Sequence, residues 1–146
     1  MLCQVSTIFP MSKSIDGNWR GHYSYFKLPD HGSGFNATFI DEGGAIHGTI
    51  MDDYGPGEAT FSGSFSFPVV NFIKIYRNRT ELYTYPVRYS GRMSDDGKSM
   101  NGTWIINSEY GDTKGTWSAY RISEEENKTE AKQSKVKERE IDEVTI

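Results

Sequence analysis

The sequence predicts an all-β protein: an eight-stranded antiparallel up-and-down meander closed into a barrel. Three observations predict this fold, namely short runs of alternating residues, turn-forming clusters between the runs, and glycines that recur two positions before a large side chain. The 146-residue chain contains 15 glycines and 14% aromatic residues, with 36% hydrophobic residues in all. This composition is typical of a single β domain in which a few large rings supply the core.

Clusters of Gly, Asp, Asn and Pro separate the candidate strands, and each of these residues favours turns for its own physical reason. The clusters include "PDHGSG" after the first run, "DDYGPG" after the third and "SDDGK" after the sixth. Between Trp19 and Ile122 no stretch shows a helical period. The strands are predicted at residues 19–28, 35–41, 45–51, 58–65, 69–76, 82–93, 99–106 and 113–122.

Period-2 alternation assigns a buried face and a wet face to several of these strands. In the third run, Ile46 and Ile50 share one face, whereas His47 and Thr49 share the other. Such alternation marks a strand that packs one face on a core.

Six of the runs carry a glycine two residues before a large side chain, so that both residues share a face. A glycine inside a strand marks a bend or a close approach of another group. This pattern favours a strongly coiled sheet such as a closed barrel, although a Gly-rich β-sandwich would show the same alternation. The six pairs are Gly21/Tyr23, Gly48/Ile50, Gly63/Phe65, Gly91/Met93, Gly102/Trp104 and Gly115/Trp117.

The motif Gly17-x-Trp19 on the first strand, with Arg121 on the last, resembles the calycin group of lipocalins, fatty-acid-binding proteins and avidin relatives. The resemblance spans residues 17–122 and matches no characterised subfamily. It implies that Gly17, Trp19 and Arg121 close one end of the barrel, with the arginine over the indole. The meander leads to the same contact, because its last strand runs antiparallel to the first and closes beside it.

A closed barrel of eight strands can hold one small ligand. We therefore predict that the protein binds a small hydrophobic or aromatic molecule, acids included, among rings and hydroxyls in the interior. No cofactor, metal site or catalytic residue is predicted. The candidate ligand-binding residues are Tyr23, Tyr25, Phe61, Phe65, Tyr85, Tyr89, Trp104, Trp117 and Arg121.

Two features of the charged residues bear on the site. In the fifth run, alternation does not decide which side chains point inward. Either the face with Ile73 and Ile75 or the opposite face, which contains Lys74, could pack on the core. The acidic pairs of "DDYG" and "SDDG", Asp52 included, are predicted in hydrated turns.

The sequence is also compatible with two other functions. The first is a small barrel enzyme of the isomerase or cyclase type that uses Tyr and Arg. The second is an interaction module or homodimer whose barrel is filled by its own rings, with Ile73, Ile75 and Ile105 as an exposed apolar patch. Whether the interior is empty separates these alternatives.

The chain ends differ in composition from the barrel region. Residues 1–16 are predicted to be a flexible leader, in which Met11 is an alternative start. Residues 123–146 are predicted to be a disordered or frayed-helical tail, because they are charged and poor in aromatic rings. The formal net charge of −4 argues against nucleic acid as a partner, no run is apolar enough to span a membrane, and a cytoplasmic location is expected.

Overall fold

The computed structural model describes residues 14–54, 57–77 and 85–122. The predicted tail, most of the predicted leader and residues 82–84 of the predicted sixth strand lie outside these ranges. The described strands are β1 (Gly17–Tyr25), β2 (Gly32–Glu42), β3 (Ala45–Asp52), β4 (Glu58–Ser66), β5 (Val69–Tyr76), β6 (Val87–Met93), β7 (Ser99–Ser108) and β8 (Gly111–Arg121).

Each strand pairs antiparallel with the next, and β8 pairs with β1, so the sheet is a closed barrel. The predicted fold class is therefore confirmed. Closure leaves no unpaired strand edge, and the inward side chains of all eight strands share one interior.

β2 begins three residues before its predicted start and β6 five residues after its predicted start, and another difference lies at the end of β1. The prediction extends this strand to Leu28, whereas the observed strand ends at Tyr25. The backbone N–H of His31 donates to the carbonyl of Leu28 at 2.9 Å, which closes a turn with Pro29 at a position that favours proline. This turn ends the pairing and forms a loop at residues 26–31.

The two ends of the barrel differ, and we name them by their contents. The closed end contains the start of β1 and the end of β8, with Trp19 and Arg121. The loop end contains the end of β1, the start of β2, the loop at residues 26–31 and the end of β3.

Rings fill the middle of the barrel. Phe72 stacks on Tyr89 with ring centroids 4.6 Å apart, and its edge meets Trp117 at 5.8 Å. Phe39 and Phe61 approach from the opposite side and also contact Phe72. These contacts join β2, β4, β5, β6 and β8 across the interior, so the centre is a packed core.

The strand glycines make room for rings on neighbouring strands. Gly48 lies opposite Phe61, and Gly115 lies opposite Trp104. A Cβ at Gly115 would stand 2.6 Å from the Trp104 indole and would overlap the carbonyl oxygen of Ser24. Side chains at these positions would therefore displace either the rings or the neighbouring strand.

Candidate functional site

A buried ion pair lies inside the barrel toward the loop end. Lys74 is 0% exposed and Asp52 is 4% exposed. The Lys74 Nζ donates to Oδ1 and Oδ2 of Asp52 at 2.9 and 3.1 Å. It also donates to the hydroxyl of Tyr76 at 2.8 Å, and that hydroxyl donates to Asp52 Oδ2 at 2.6 Å. We call Lys74, Asp52 and Tyr76 the buried triad.

The strand register places the buried triad. On β5 the inward positions alternate and include both Lys74 and Tyr76. On β3 the inward set that contains Ile50 continues to Asp52. Between these two strands, β4 presents only the methyl group of Ala59, which lies opposite Ile50 and Tyr76. This small side chain leaves room for the β5 side chains to reach Asp52 across β4.

Burial shifts the pKa values of Lys74 and Tyr76. Desolvation lowers the pKa of Lys74 below its usual value, and the nearby charge of Asp52 offsets part of that effect. Desolvation also raises the pKa of Tyr76, with a further contribution from Asp52. The phenol therefore stays protonated and acts as a hydrogen-bond donor to the carboxylate.

The sequence interpretation placed Asp52 in a hydrated turn, and this is wrong. β3 continues one residue beyond the predicted strand, so Asp52 takes an inward position and becomes buried. The open choice on β5 is resolved in favour of Lys74, since Ile73 and Ile75 point outward and are each 37% exposed.

The neighbouring acid, Asp53, lies on the outer side of the wall. Both of its carboxylate oxygens accept hydrogen bonds from Arg20, at 2.9 and 2.6 Å. The hydrogen bond to Arg20 lowers the pKa of Asp53. Two consecutive aspartates thus form ion pairs on opposite sides of one strand end.

Three of the predicted ligand-binding rings meet at the loop end. Tyr25 and Trp104 meet in a T-shaped arrangement with centroids 5.0 Å apart, and Tyr23 contacts both rings at 6.1 and 6.2 Å. The Trp104 indole N–H donates to the carbonyls of Ser24 and Thr116 at 3.2 Å. Trp104 is buried, whereas the two tyrosines are only partly buried. We call Tyr23, Tyr25 and Trp104 the ring trio.

The ring trio adjoins both the triad and the surface. The Lys74 Nζ lies 5.5 Å from the centre of the Tyr23 ring. On the other side, a groove of about 320 Å³ is lined by Tyr23, Tyr25, Leu28, His31, Gly32, Ser33 and Tyr54. A second groove of about 600 Å³ shares Tyr25 and Leu28 with the first, and it extends to Lys114 on β8. Tyr23 therefore lies between the first groove and the buried triad, and Tyr25 lines both grooves.

The other predicted ligand-binding residues do not join the ring trio. Phe61, Tyr89 and Trp117 all pack on Phe72 in the filled centre, and Tyr89 also packs on Trp117. Phe65 is buried near the closed end of β4, and Tyr85 is partly buried just before β6.

The closed end is plugged by Trp19. This residue is 0% exposed, and its indole N–H donates to the carbonyl of Ile15 at 2.9 Å. The guanidinium of Arg121 lies 4.5 Å from the centre of the Trp19 ring. The ring also meets Phe39 edge-on, which connects the plug to the filled centre.

At the closed end, the Arg121 side chain donates hydrogen bonds to backbone carbonyls. Its guanidinium donates to the carbonyls of Ser14 and Asp16 at 2.6 and 2.7 Å, and to that of Gly97 at 3.1 and 3.2 Å. It therefore ties the segment before β1 to the turn between β6 and β7, far from the ring trio. Gly17, with φ of +127°, starts β1 beside this guanidinium.

The histidines do not contribute to the interior. His22, His31 and His47 are all exposed. In the part of the chain that the structure describes, no group of three or more His, Cys, Asp or Glu side chains is arranged to hold a metal ion. The same residues include no helix of the length and hydropathy needed to cross a bilayer.

Comparison of the chain with protein-family models and with curated proteins finds no match. The barrel topology and the geometry of the loop end are therefore the basis for a functional proposal.

Proposed function

We propose that this protein binds a small planar aromatic or hydrophobic molecule at the loop end of the barrel, against Tyr23, Tyr25 and Trp104. The observation that carries the proposal is the difference in burial between rings. The rings in the centre and at the closed end are buried against one another, whereas Tyr23 and Tyr25 leave part of their surface on a groove.

The chemistry of the groove suits a flat ligand. Aromatic rings attract each other in edge-to-face and offset-stacked arrangements, and the partly exposed tyrosines offer both faces and edges. Leu28 and Tyr54 add apolar surface beside them. Pockets for small molecules are lined in this way, by apolar groups with a few polar groups that set orientation.

The buried triad supplies the polar part of the site. It lies directly below Tyr23, and it is the one group of inward-facing charged side chains among the described residues. Lys74 and Asp52 neutralise each other, so the interior carries no net charge from this pair. A neutral ligand with a hydroxyl or carbonyl group fits this balance better than an acid, which would add an unpaired buried charge.

The proposal also extends the resemblance to lipocalin-like barrels. In that pattern an arginine of the last strand covers the tryptophan of the first at the closed end, which leaves the opposite end for entry of a ligand. Trp19 and Arg121 adopt this arrangement, which supports the loop end as the binding end.

Titration with 2-naphthol, a planar aromatic alcohol, tests the proposal. We expect saturable binding of one molecule per chain, followed by the fluorescence of the probe. The Tyr25→Leu variant removes a ring of the trio, and its affinity should fall by about tenfold, which corresponds to ~1.4 kcal/mol.

The matched control is Tyr120→Leu, because Tyr120 lies on the outer face of β8 and is exposed. This variant should bind as the unmodified protein does. A titration without saturation, or an equal loss in both variants, would contradict the proposal and favour a filled barrel that acts as an interaction module.

A further inference from the structure

The buried triad combines a primary amine, a carboxylate and a phenol within hydrogen-bond distance of one another. A buried ion pair adds little net stability, because removing two charges from water costs about as much as their attraction returns. The rest of the interior shows that apolar side chains can fill this barrel. The buried triad is therefore a candidate for a reactive site rather than for a stabilising contact.

We propose that Lys74 captures an aromatic aldehyde as a Schiff base at the base of the loop-end groove. This inference rests on the proposed function and names the class of ligand, a planar aromatic carbonyl compound. The amine is the nucleophile, Asp52 is the proton carrier, and Tyr76 positions the carboxylate.

The step balances with the groups present. The Lys74 ammonium passes a proton to Asp52, and the free amine attacks the carbonyl carbon. Asp52 returns that proton to the carbonyl oxygen, which gives a carbinolamine with a protonated nitrogen. This nitrogen then passes a proton to Asp52, and Asp52 delivers it to the hydroxyl group, which leaves as water. One ammonium and one aldehyde thus become one iminium and one water, with no oxidant or reductant.

The geometry suits each proton transfer. Both carboxylate oxygens of Asp52 lie within 3.1 Å of the Lys74 nitrogen. The hydroxyl of Tyr76 donates to Asp52 Oδ2 at 2.6 Å, which fixes the orientation of the carboxylate. The iminium carries the same charge as the ammonium that it replaces, so the Asp52 carboxylate has a cationic partner both before and after the reaction.

The charge balance of the site favours a carbonyl compound over an acid. Asp52 already neutralises Lys74, so a ligand carboxylate would leave one negative charge buried without a partner, which is costly. An aldehyde adds no charge. In addition, desolvation lowers the pKa of Lys74, which raises the fraction of free amine available near neutral pH.

Access to the amine runs past Tyr23. This partly buried ring lines the groove on one side and lies 5.5 Å from the Lys74 nitrogen on the other. A change in the side-chain rotamer of Tyr23 would connect the groove to the triad. The aldehyde ring can then pack against Tyr25 and Trp104 while its carbonyl group reaches the amine.

The test treats the full chain with 2-naphthaldehyde, reduces the product with borohydride, and locates the modified lysine by peptide mapping. We expect a single adduct per chain at Lys74, saturating with aldehyde concentration. The exposed Lys98, which lies at the closed end, serves as the internal reference. Lys74→Arg, which keeps the charge but removes the nucleophile, should lose the adduct, whereas Lys98→Arg at the closed end should keep it.

Peptide mapping of the aldehyde-treated protein without substitutions is decisive by itself, even if Lys74→Arg does not fold. An adduct confined to exposed lysines would overturn the inference. Parallel titration with 2-naphthol separates the two proposals, because this alcohol cannot form an imine. Binding of 2-naphthol without modification of Lys74 would overturn the Schiff base alone, and absence of both would overturn the proposed function as well.

Discussion

A cation lies beside an aromatic ring at each end of the barrel, but the two cations meet different groups. At the closed end, the Arg121 guanidinium covers Trp19 and donates its hydrogen bonds to backbone carbonyls. Toward the loop end, the Lys74 ammonium is surrounded by rings and donates its hydrogen bonds to Asp52 and Tyr76.

The difference between these two ends shows what each cation can do. Arg121 is partly exposed, and its hydrogen bonds connect two segments of main chain. Burial lowers the pKa of both cations, but only Lys74 has a carboxylate in direct contact that can exchange a proton with it. The contacts of Arg121 connect main-chain segments at the closed end, whereas the groups to which we assign chemistry lie toward the loop end.

The largest expected effect comes from breaking the buried ion pair. Lys74→Met leaves the Asp52 carboxylate buried without its cation, and we expect a loss of about 3–5 kcal/mol in the free energy of unfolding. Urea unfolding followed by tryptophan fluorescence measures this loss.

The informative control is the triple variant Lys74→Met/Asp52→Leu/Tyr76→Phe. It removes every polar group of the triad, so no buried charge or hydroxyl lacks a partner, and its stability should return to within about 1.5 kcal/mol of the unmodified protein. If the triple variant is as unstable as Lys74→Met, the triad is structural, and the contrast between the ends fails.

Alkaline titration gives a second and smaller effect. Desolvation raises the pKa of Tyr89 well above the usual value for tyrosine. Above about pH 10 the unfolded chain releases this proton while the folded chain keeps it, so the folded state binds more protons and stability falls as pH rises. In Tyr89→Phe that fall should be less steep by up to about 1.4 kcal/mol per pH unit.

Urea unfolding of both proteins between pH 8 and pH 11 provides the measurement, with the Tyr89 contribution absent below about pH 10 because both states are then protonated. Equal slopes in the two proteins above that pH would show that the Tyr89 hydroxyl titrates in the folded state as it does in the unfolded chain. The interior would then be more accessible to water than the filled centre implies.

The smallest effect is expected on the outer face. Arg20 and Asp53 form an ion pair at 2.6 Å, but both side chains are partly exposed. Water screens such pairs, so Arg20→Gln should cost at most about 1 kcal/mol in urea unfolding. A loss as large as that of Lys74→Met would mean that burial does not separate the roles of the consecutive acids Asp52 and Asp53.

The sequence predicted most of the fold because its signals are local. β5 is observed with the predicted bounds, Val69–Tyr76, and alternation assigned Ile46 and Ile50 correctly to one face of β3. The glycines predicted close approach, and their cross-strand neighbours prove to be rings such as Phe61 and Trp104. Turn chemistry and period-2 patterning are encoded in short stretches, so a single sequence reveals them.

The site was harder to predict because it joins strands that are distant in sequence. Both faces of β5 contain large apolar side chains, so alternation alone could not orient Lys74. Asp52 lies within a turn-like cluster, and its partner lies two strands away, across Ala59. The signal in the sequence was the alternation of β3. If the strand is extended by one residue, Asp52 points inward, as Lys74 does.

The filling of the barrel centre also lay beyond sequence reasoning. Phe72 and Tyr89 are inward residues in either a hollow or a filled barrel. Their rotamers and the register of β5 on β6 determine that they stack. Cross-barrel distances of this kind follow from the closed geometry rather than from any local pattern.

The most direct test of the account is to follow the three indole N–H signals by NMR during titration with 2-naphthol. Trp104 belongs to the ring trio, Trp117 to the filled centre and Trp19 to the closed end, so each signal reports on one level of the barrel. Binding at the loop end should move the Trp104 signal with saturation while the Trp19 signal stays in place. A saturable shift confined to Trp19, or no shift in any of the three, would contradict binding at the loop end.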